Sequence, residues 1–303
     1  MALRDVQLRI RSVRNTAQIT KAMEVVSATK MRRSQEIAIA GRPYALAALD
    51  MLKNITSRTP VAHPLFLPRE TGRTLMVLVT SDKGLAGAFN ANVLRLAADW
   101  QKTQQEVPAY VAVGKKAREY LQRREAELLR SFSGFGDFIS RKDTASLSDF
   151  LLEQFRAQPW KKVLLCYTNF RTTLKQEPHI SEVLPLQPEA LAETIRHILP
   201  EYGRYAEEEK GALETRYSYE YRFEPSPEAV LGRLVPTLFA IQLHHIVLES
   251  NASEHSARMV AMKNASDNAQ ELVDKLSVSY NKARQAGITK ELTELAAGQE
   301  AVQ

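Results

Sequence analysis

Thr237–Ala286, TLFAIQLHHIVLESNASEHSARMVAMKNASDNAQELVDKLSVSYNKARQA, runs for 50 residues without a glycine or a proline. Helices in globular proteins average about 11–12 residues, so an unbroken stretch this long predicts a coiled coil or a rod. Alternating steps of three and four select Leu238, Ile241, His245, Leu248, Ala252, His255, Met259, Met262, Ser266, Ala269, Val273, Leu276, Tyr280 and Ala283. All but His245, His255 and Ser266 are apolar, counting alanine and tyrosine. A 3.5-residue period sustained over this distance implies a left-handed supercoil. At full helicity the segment extends about 75 Å, more than a compact domain needs inside itself, so part of it is expected to project.

The helix has a readable start. Ser226-Pro227-Glu228 offers an N-cap serine, a proline at the first helical position and an acid in the first turn. Pro236 is expected to kink or interrupt it before the rod proper. At the other end of the chain, residues 1–40 also lack glycine and proline. Leu3, Val6, Ile10, Val13 and Ala17 follow the same three-four spacing, and the stripe is then expected to shift through Ile19, Met23 and Val26. Small neighbours (Ala22, Ser27, Ala28, Thr29) allow close helix approach. Pairing of the two termini as an antiparallel coiled coil is the economical arrangement; a homodimeric coiled coil is the competing one.

Between the ends, apolar runs alternate with amphipathic stretches. Thr74–Thr80, Ala109–Val113 and Lys162–Tyr167 read as buried strands. Helices are expected over Ala91–Gln105, Lys115–Leu129 and Leu147–Ala157. Arg216–Phe223 alternates polar and aromatic residues, a further strand signature. The fold class is therefore α/β: a long antiparallel two-helix coiled coil formed by the N- and C-terminal segments, plus a central Rossmann-like α/β domain with a partly parallel sheet. The expected divisions are 1–58 for the first helix, 73–223 for the central domain, with 187–215 as an acidic linker or insert, and 226–299 for the last helix.

Composition fits this picture. The chain has 303 residues, 44% of them hydrophobic and 25% charged, long enough for two folding units and too apolar for a disordered chain. A single cysteine, Cys166, excludes a disulfide framework and a cysteine-rich zinc site, and points to a reducing compartment. No apolar run approaches the roughly 20 residues of a membrane span, and the N-terminus has no apolar core behind its basic residues. The net charge of +6 is concentrated: residues 1–58 carry 11 Lys/Arg against 4 Asp/Glu, whereas the remainder is close to balance. The first segment should therefore face an acidic partner, and its scattered charges suit a protein surface better than nucleic acid.

Few residues suggest chemistry. Thr80-Ser81-Asp82-Lys83-Gly84-Leu85-Ala86-Gly87-Ala88-Phe89-Asn90 follows a strand and precedes a helix, where phosphate loops sit, but it lacks both the P-loop and the dinucleotide glycine spacings. Gly134–Asp137 reads as a loop. The six histidines form no metal-binding spacing, His245 and His255 read as helix-interface residues, and Cys166 reads as a small hydrophobe in a buried strand. No catalytic, cofactor or metal constellation emerges. A nucleotide-dependent α/β enzyme and a coiled-coil nucleic-acid binder are the alternatives to a purely mechanical or structural role.

The two ends together resemble the gamma subunits of F-type ATP synthases. The resemblance is carried by Ile10-Arg11-Ser12-Val13, Asn15-Thr16, Ile19–Val26 and Lys30-Met31-Arg32 in the first helix, and by Thr80–Leu85 after the first strand. It continues through Tyr221–Pro227, Ala257–Lys263, Tyr280–Gln285 and Ile288–Glu294. The chain departs from the family pattern at Gln299, where alanine is usual, and in the longer 187–215 segment. It lacks the cysteine pair of redox-regulated chloroplast members.

The resemblance implies a rotor (central stalk), non-catalytic in itself. One such chain would stand among three alpha and three beta subunits, with epsilon and the membrane c-ring at its foot, peripheral to the cytoplasmic face of a bacterial plasma membrane. It implies beta-subunit contacts at Lys21, Met23, Lys30 and Arg258, and catch or bearing residues at Arg284, Gln285, Thr289 and Glu294. It implies c-ring contacts at Tyr221, Arg222 and Glu224, and neither a cofactor nor nucleic acid.

Overall fold

The computed structural model describes residues 3–58, 63–187 and 224–300. Ten elements follow in chain order: α1 (Leu3–Arg58), β1 (Arg73–Val79), α2 (Phe89–Lys102), β2 (Ala109–Val113), α3 (Lys115–Arg123), β3 (Leu128–Phe132), α4 (Arg141–Ala157), β4 (Trp160–Phe170), β5 (Gln176–Leu184) and α5 (Pro227–Glu300). The chain divides into two compact units. The smaller holds Met1–Ser27 with Met259–Gln303, the larger Ala28–Arg258.

In the larger unit one five-stranded sheet has the order β3-β2-β1-β4-β5. β1 runs parallel to β2 and β4, β2 parallel to β3, and β5 returns antiparallel to β4. Both faces of the sheet are covered, which is why its inner strands read as unbroken apolar runs. Alternation splits each strand between two cores. Leu75, Val77, Val79, Val111, Val113, Val163 and Leu165 meet Leu49, Leu52 and Ile55 of α1, Leu147, Leu151 and Phe155 of α4, and Leu238 and Phe239 of α5. Met76, Leu78, Tyr110, Ala112, Leu164 and Cys166 meet Val93 and Ala97 of α2 and Ala117 and Leu121 of α3.

α5 contains a window apolar enough for a bilayer by length and composition, but 61% of it is buried within the protein, as in a core helix. From Leu238 to Ser256 almost every residue is buried, so this part of the helix is enclosed by protein and not merely striped.

Several local expectations are corrected. α3 stops at Arg123, because Glu125 takes a left-handed conformation (φ 52°) that no helix interior allows; Leu128 and Leu129, expected as the helix end, instead open the edge strand β3. α4 begins six residues earlier than its apolar pattern, at a capping box in which the Asp143 carboxylate accepts from the Ser140 backbone N–H at 2.7 Å. Pro236 does not interrupt α5, and Gly41 and Pro43 do not interrupt α1. β5 is not among the expected strands, because Pro178 and its polar residues mask the strand pattern. The strand expected over 216–223 and the insert after 187 lie outside the described residues.

In the smaller unit α1 and α5 pair antiparallel. Ser266 Oγ donates to the Ala17 carbonyl at 3.2 Å, and a Cβ placed on Gly287 would lie 3.9 Å from Leu3 Cδ1. On α5 the seam is the expected one: Met262, Ala269 and Val273 are buried, and Met259, Ser266, Leu276 and Tyr280 half-buried. On α1 the expected shift does not occur. Ile19 is 60% and Val26 51% exposed, while the heptad begun by Leu3 and Val6 continues through Ala17, Thr20 and Ser27. The buried hydroxyls satisfy themselves within their own helix: Thr20 Oγ1 donates to the Thr16 and Ala17 carbonyls, and Ser27 Oγ to the Met23 carbonyl at 2.7 Å. On α1 the heptad is therefore continued by small and hydroxyl residues, while Ile19 and Val26 face outward.

Candidate functional site

In the smaller unit Lys21 is exposed and pairs with Glu24 one turn on, at 3.0 Å. Met23 is half-buried beside it on the same helix. Arg284, Gln285 and Thr289 are exposed along one stretch of α5, and the Thr289 hydroxyl donates to the Gln285 carbonyl at 3.0 Å. Glu294 lies in the closing turns of the same helix, and its side chain is outside the described residues. Leu8, Ile19, Val26, Val278, Ile288 and Leu292 are also exposed in this unit, a concentration of large apolar side chains uncommon on a self-contained surface.

In the larger unit Lys30 and Arg258 are engaged within the chain. Lys30 Nζ pairs with Asp137 at 2.7 Å. Burial works against that carboxylate, but the hydrogen bond from Lys30 and its charge hold the Asp137 carboxyl below the usual range. Arg258 is buried; its Nη2 donates to the Glu254 carboxylate at 2.6 Å and to the Gly84 carbonyl at 3.2 Å. His255 lies beside it, 3.3 Å from Nη1, and burial together with the Arg258 charge pushes its pKa down to about 4, so the ring is neutral at physiological pH. Glu224 is exposed at the start of α5, on a cavity of about 370 Å³ that Tyr44, Met51, Val230 and Leu234 also line. Tyr221 and Arg222 lie outside the described residues.

The glycine loop after β1 occupies a telling position. In open α/β sheets ligands bind outside the carboxyl ends of the strands, where the strand order reverses. Here that point lies between β1 and β4, and the chain fills it with its own groups. Ser253 Oγ of α5 donates to the Thr168 carbonyl of β4 at 3.3 Å, and Arg258, five residues on, reaches Gly84 in the β1 loop. The Asp82 carboxylate accepts from the backbone N–H groups of Lys115, the first residue of α3, at 2.9 Å and of Gly134 at 2.7 Å.

Thr80 Oγ1 accepts from Ala117 N–H and donates to the Val113 carbonyl. Gly114, at φ 91°, cannot carry a Cβ, which would sit 2.2 Å from the Thr80 carbonyl. An acid at a helix N-terminus takes the place a bound anion would otherwise hold. Cys166 is buried, and burial pushes its thiol up to about 12, so it is not a nucleophile. No cluster of metal-ligating side chains occurs among the described residues.

Comparison with known proteins identifies the family. Residues 2–302 match the family model described as ATP synthase. The ATP synthase gamma chain of Opitutus terrae is 41% identical, across 98% of this chain and 97% of the relative. That of Pelotomaculum thermopropionicum is 38% identical, across 100% and 99%. Among solved structures, a chain of the Euglena gracilis mitochondrial ATP synthase aligns over 99% of this chain and 94% of its own length, with a TM-score of 0.63 at 18% identity. A chain of the Tetrahymena thermophila central stalk and c-ring aligns over 82% and 99%, with a TM-score of 0.57 at 24% identity. At those identities the structures show a shared fold; the relatives, matched end to end, show the family. The chain belongs to the ATP synthase gamma chain family.

Proposed function

We propose that this chain is the rotating stalk of an F-type ATP synthase and does no chemistry of its own. One copy stands among three alpha and three beta subunits, with epsilon and the c-ring at its foot, on the cytoplasmic face of a bacterial membrane. Ion flow turns the c-ring and this chain with it, and ATP forms in the beta subunits. The observation that carries the reading is the end-to-end match to curated gamma chains.

Three features support it. The outward-facing apolar residues of the smaller unit suit a helix pair sheathed by partners. The basic first segment suits acidic surfaces on beta, with Lys21 and Met23 the most available contacts. Lys30 and Arg258, held by Asp137, Glu254 and Gly84, are less free to meet beta directly. At the sheet edge, where an enzyme of this architecture binds its ligand, α5 and Asp82 already stand. Arg284, Gln285, Thr289 and Glu294 are assigned to the bearing, and Tyr221, Arg222 and Glu224 to the c-ring.

A bearing must not favour one angular position, and a seam of small residues with a mixed outer face avoids deep local traps. Native mass spectrometry of the complex purified from its own cells tests the assignment, with one copy expected per three alpha and three beta subunits. Met23→Lys places a second cation beside Lys21; it is expected to lower ion-driven ATP synthesis several-fold more than ATP hydrolysis. Equal loss of both, in a normally assembled complex, removes the coupling role of that position.

A further inference from the structure

Beside their apolar packing on the sheet, both long helices are held to the α/β layer by polar contacts with two neighbouring loops. α1 is held where Lys30 pairs with Asp137, at 2.7 Å, in the segment between β3 and α4. That segment is held in turn by Gly134, three residues earlier, whose N–H donates to Asp82 at 2.7 Å. Two residues beyond Asp82, the Gly84 carbonyl accepts from Arg258 of α5. The second oxygen of Asp82 accepts from Lys115 N–H and so braces the loop on α3. The loop is rigid on its own account: Asn90 Oδ1 accepts from Ser81 N–H at 3.0 Å, and Ser81 Oγ donates to the Lys83 carbonyl at 2.6 Å. The links form a continuous path, α1–Asp137–Gly134–Asp82–Gly84–Arg258–α5, with the Asp82 carboxylate at its centre.

We propose that Asp82 locks together the two loops that grip Lys30 of α1 and Arg258 of α5, a polar tie added to the apolar core, so that a twist applied to the layer passes to both helices together. A carboxylate fits this place because it accepts two N–H donors arriving from different elements, one on each oxygen. Asparagine has the same shape but offers a donor at one of those positions, against a backbone N–H, and so breaks one of the two links. The tie itself stands on the geometry of the larger unit; its mechanical consequence rests on the rotor reading.

The test uses the full chain and the assembled complex. Asp82→Asn is expected to speed hydrogen exchange about tenfold at whichever of the Lys115 and Gly134 amides faces the new side-chain donor, and less at the other, which loses only the charge on its acceptor, while β4 amides stay unchanged. In the complex the variant should lower ions pumped per ATP hydrolysed roughly threefold, with hydrolysis nearly unchanged, as expected for a compliant joint. Lys30→Asp should give the same kind of loss, and Lys30→Asp with Asp137→Lys should restore coupling, which a merely disrupted surface would not.

If the two amides loosen and coupling is unaffected, the mechanical role is overturned and the rotor reading stands. If neither amide loosens, the tie is overturned. If wild-type chain fails to purify with alpha and beta subunits, the rotor reading falls and the exchange result alone decides the tie. Should Asp82→Asn fail to assemble, the Lys30 and Asp137 series decides: rescue by the swap supports the proposal, and an unimpaired Lys30→Asp overturns it.

Discussion

The same two helices are packed in two different ways. In the larger unit they lie in a thick core, where Leu52, Ile55, Leu238 and Phe239 have no exposed surface. In the smaller unit they meet through a thin seam in which Val6, Met262 and Val273 are interspersed with alanine, serine and threonine, and several large apolar residues, Ile19, Val26, Val278 and Leu292 among them, point outward. The first packing holds a single arrangement, because dense apolar contacts penalise every displacement. The second holds its register with few strong contacts and leaves the outer surface to others. One continuous sequence thus serves as anchor in one part and as bare shaft in the other, and the switch is made in composition alone, with no break in either helix.

The largest expected effect follows from the anchor. Phe239→Ala removes a side chain with no solvent exposure from the sheet core, and such truncations cost roughly 3–5 kcal/mol. Thermal and denaturant unfolding of the larger unit should register it, and hydrogen exchange in the smaller unit should change little. A comparable loss in both units would mean that they melt as one body and would erase the contrast.

The heptad on α5 was legible over its whole length, but only its outer part is a two-helix seam. The inner part, from Leu238 to Ser256, is enclosed on all sides, and a stripe read by period cannot distinguish a seam from a fully buried helix. On α1 hydrophobicity points to Ile19 and Val26 and the heptad to Ala17, Thr20 and Ser27; the heptad prevails because the partner helix fixes which face is inward. The strand β3 was hidden because the turn at Glu125 depends on backbone conformation, which composition does not reveal. Of the residues proposed as contacts, Lys21 and Met23 come from the resemblance. The role of Asp82 does not, because its partners Lys115 and Gly134 are brought to it by strand order; the two glycines that close β2 and β3 were the available signal.

The second effect concerns a buried acid in the anchor. Glu249 is buried on α5, 3.9 Å from His245 Nε2, and burial raises its pKa to about 8, with Arg171 pulling weakly the other way. The folded chain therefore keeps a proton that the unfolded chain releases above its ordinary pKa of 4.5. Stability from this group is full below that value and falls as pH rises toward 8. Glu249→Gln removes the dependence. It should stabilise the larger unit by about 3 kcal/mol near neutral pH and by almost nothing near pH 4. His244 and His255, both lowered to about 4 by burial, act with the opposite sign. Each is neutral in the fold and takes up a proton on unfolding, so stability is lost as pH falls from 6.5 toward 4, and the variant should leave that acid limb intact. A variant with an unchanged slope between pH 5 and 8 would show that Glu249 is ionised in the folded chain.

The smallest effect belongs to the shaft. Ser266 Oγ reaches across to the Ala17 carbonyl at 3.2 Å, the bond by which one helix of the smaller unit recognises the other's level. That carbonyl already serves its own helix and the Thr20 hydroxyl, so removing the serine oxygen strands no acceptor. Ser266→Ala also places a better helix former on the seam. The two terms oppose each other, and the net change should stay within about 0.5 kcal/mol, read as local opening free energy by hydrogen exchange at residues 13–20 and 262–270. A loss several times larger would mean that this bond sets the register, and that the smaller unit is pinned at one level in the way the larger one is. A near-neutral result places its register in the heptad as a whole, so that the two helices stay paired without any single bond between them that fixes their level.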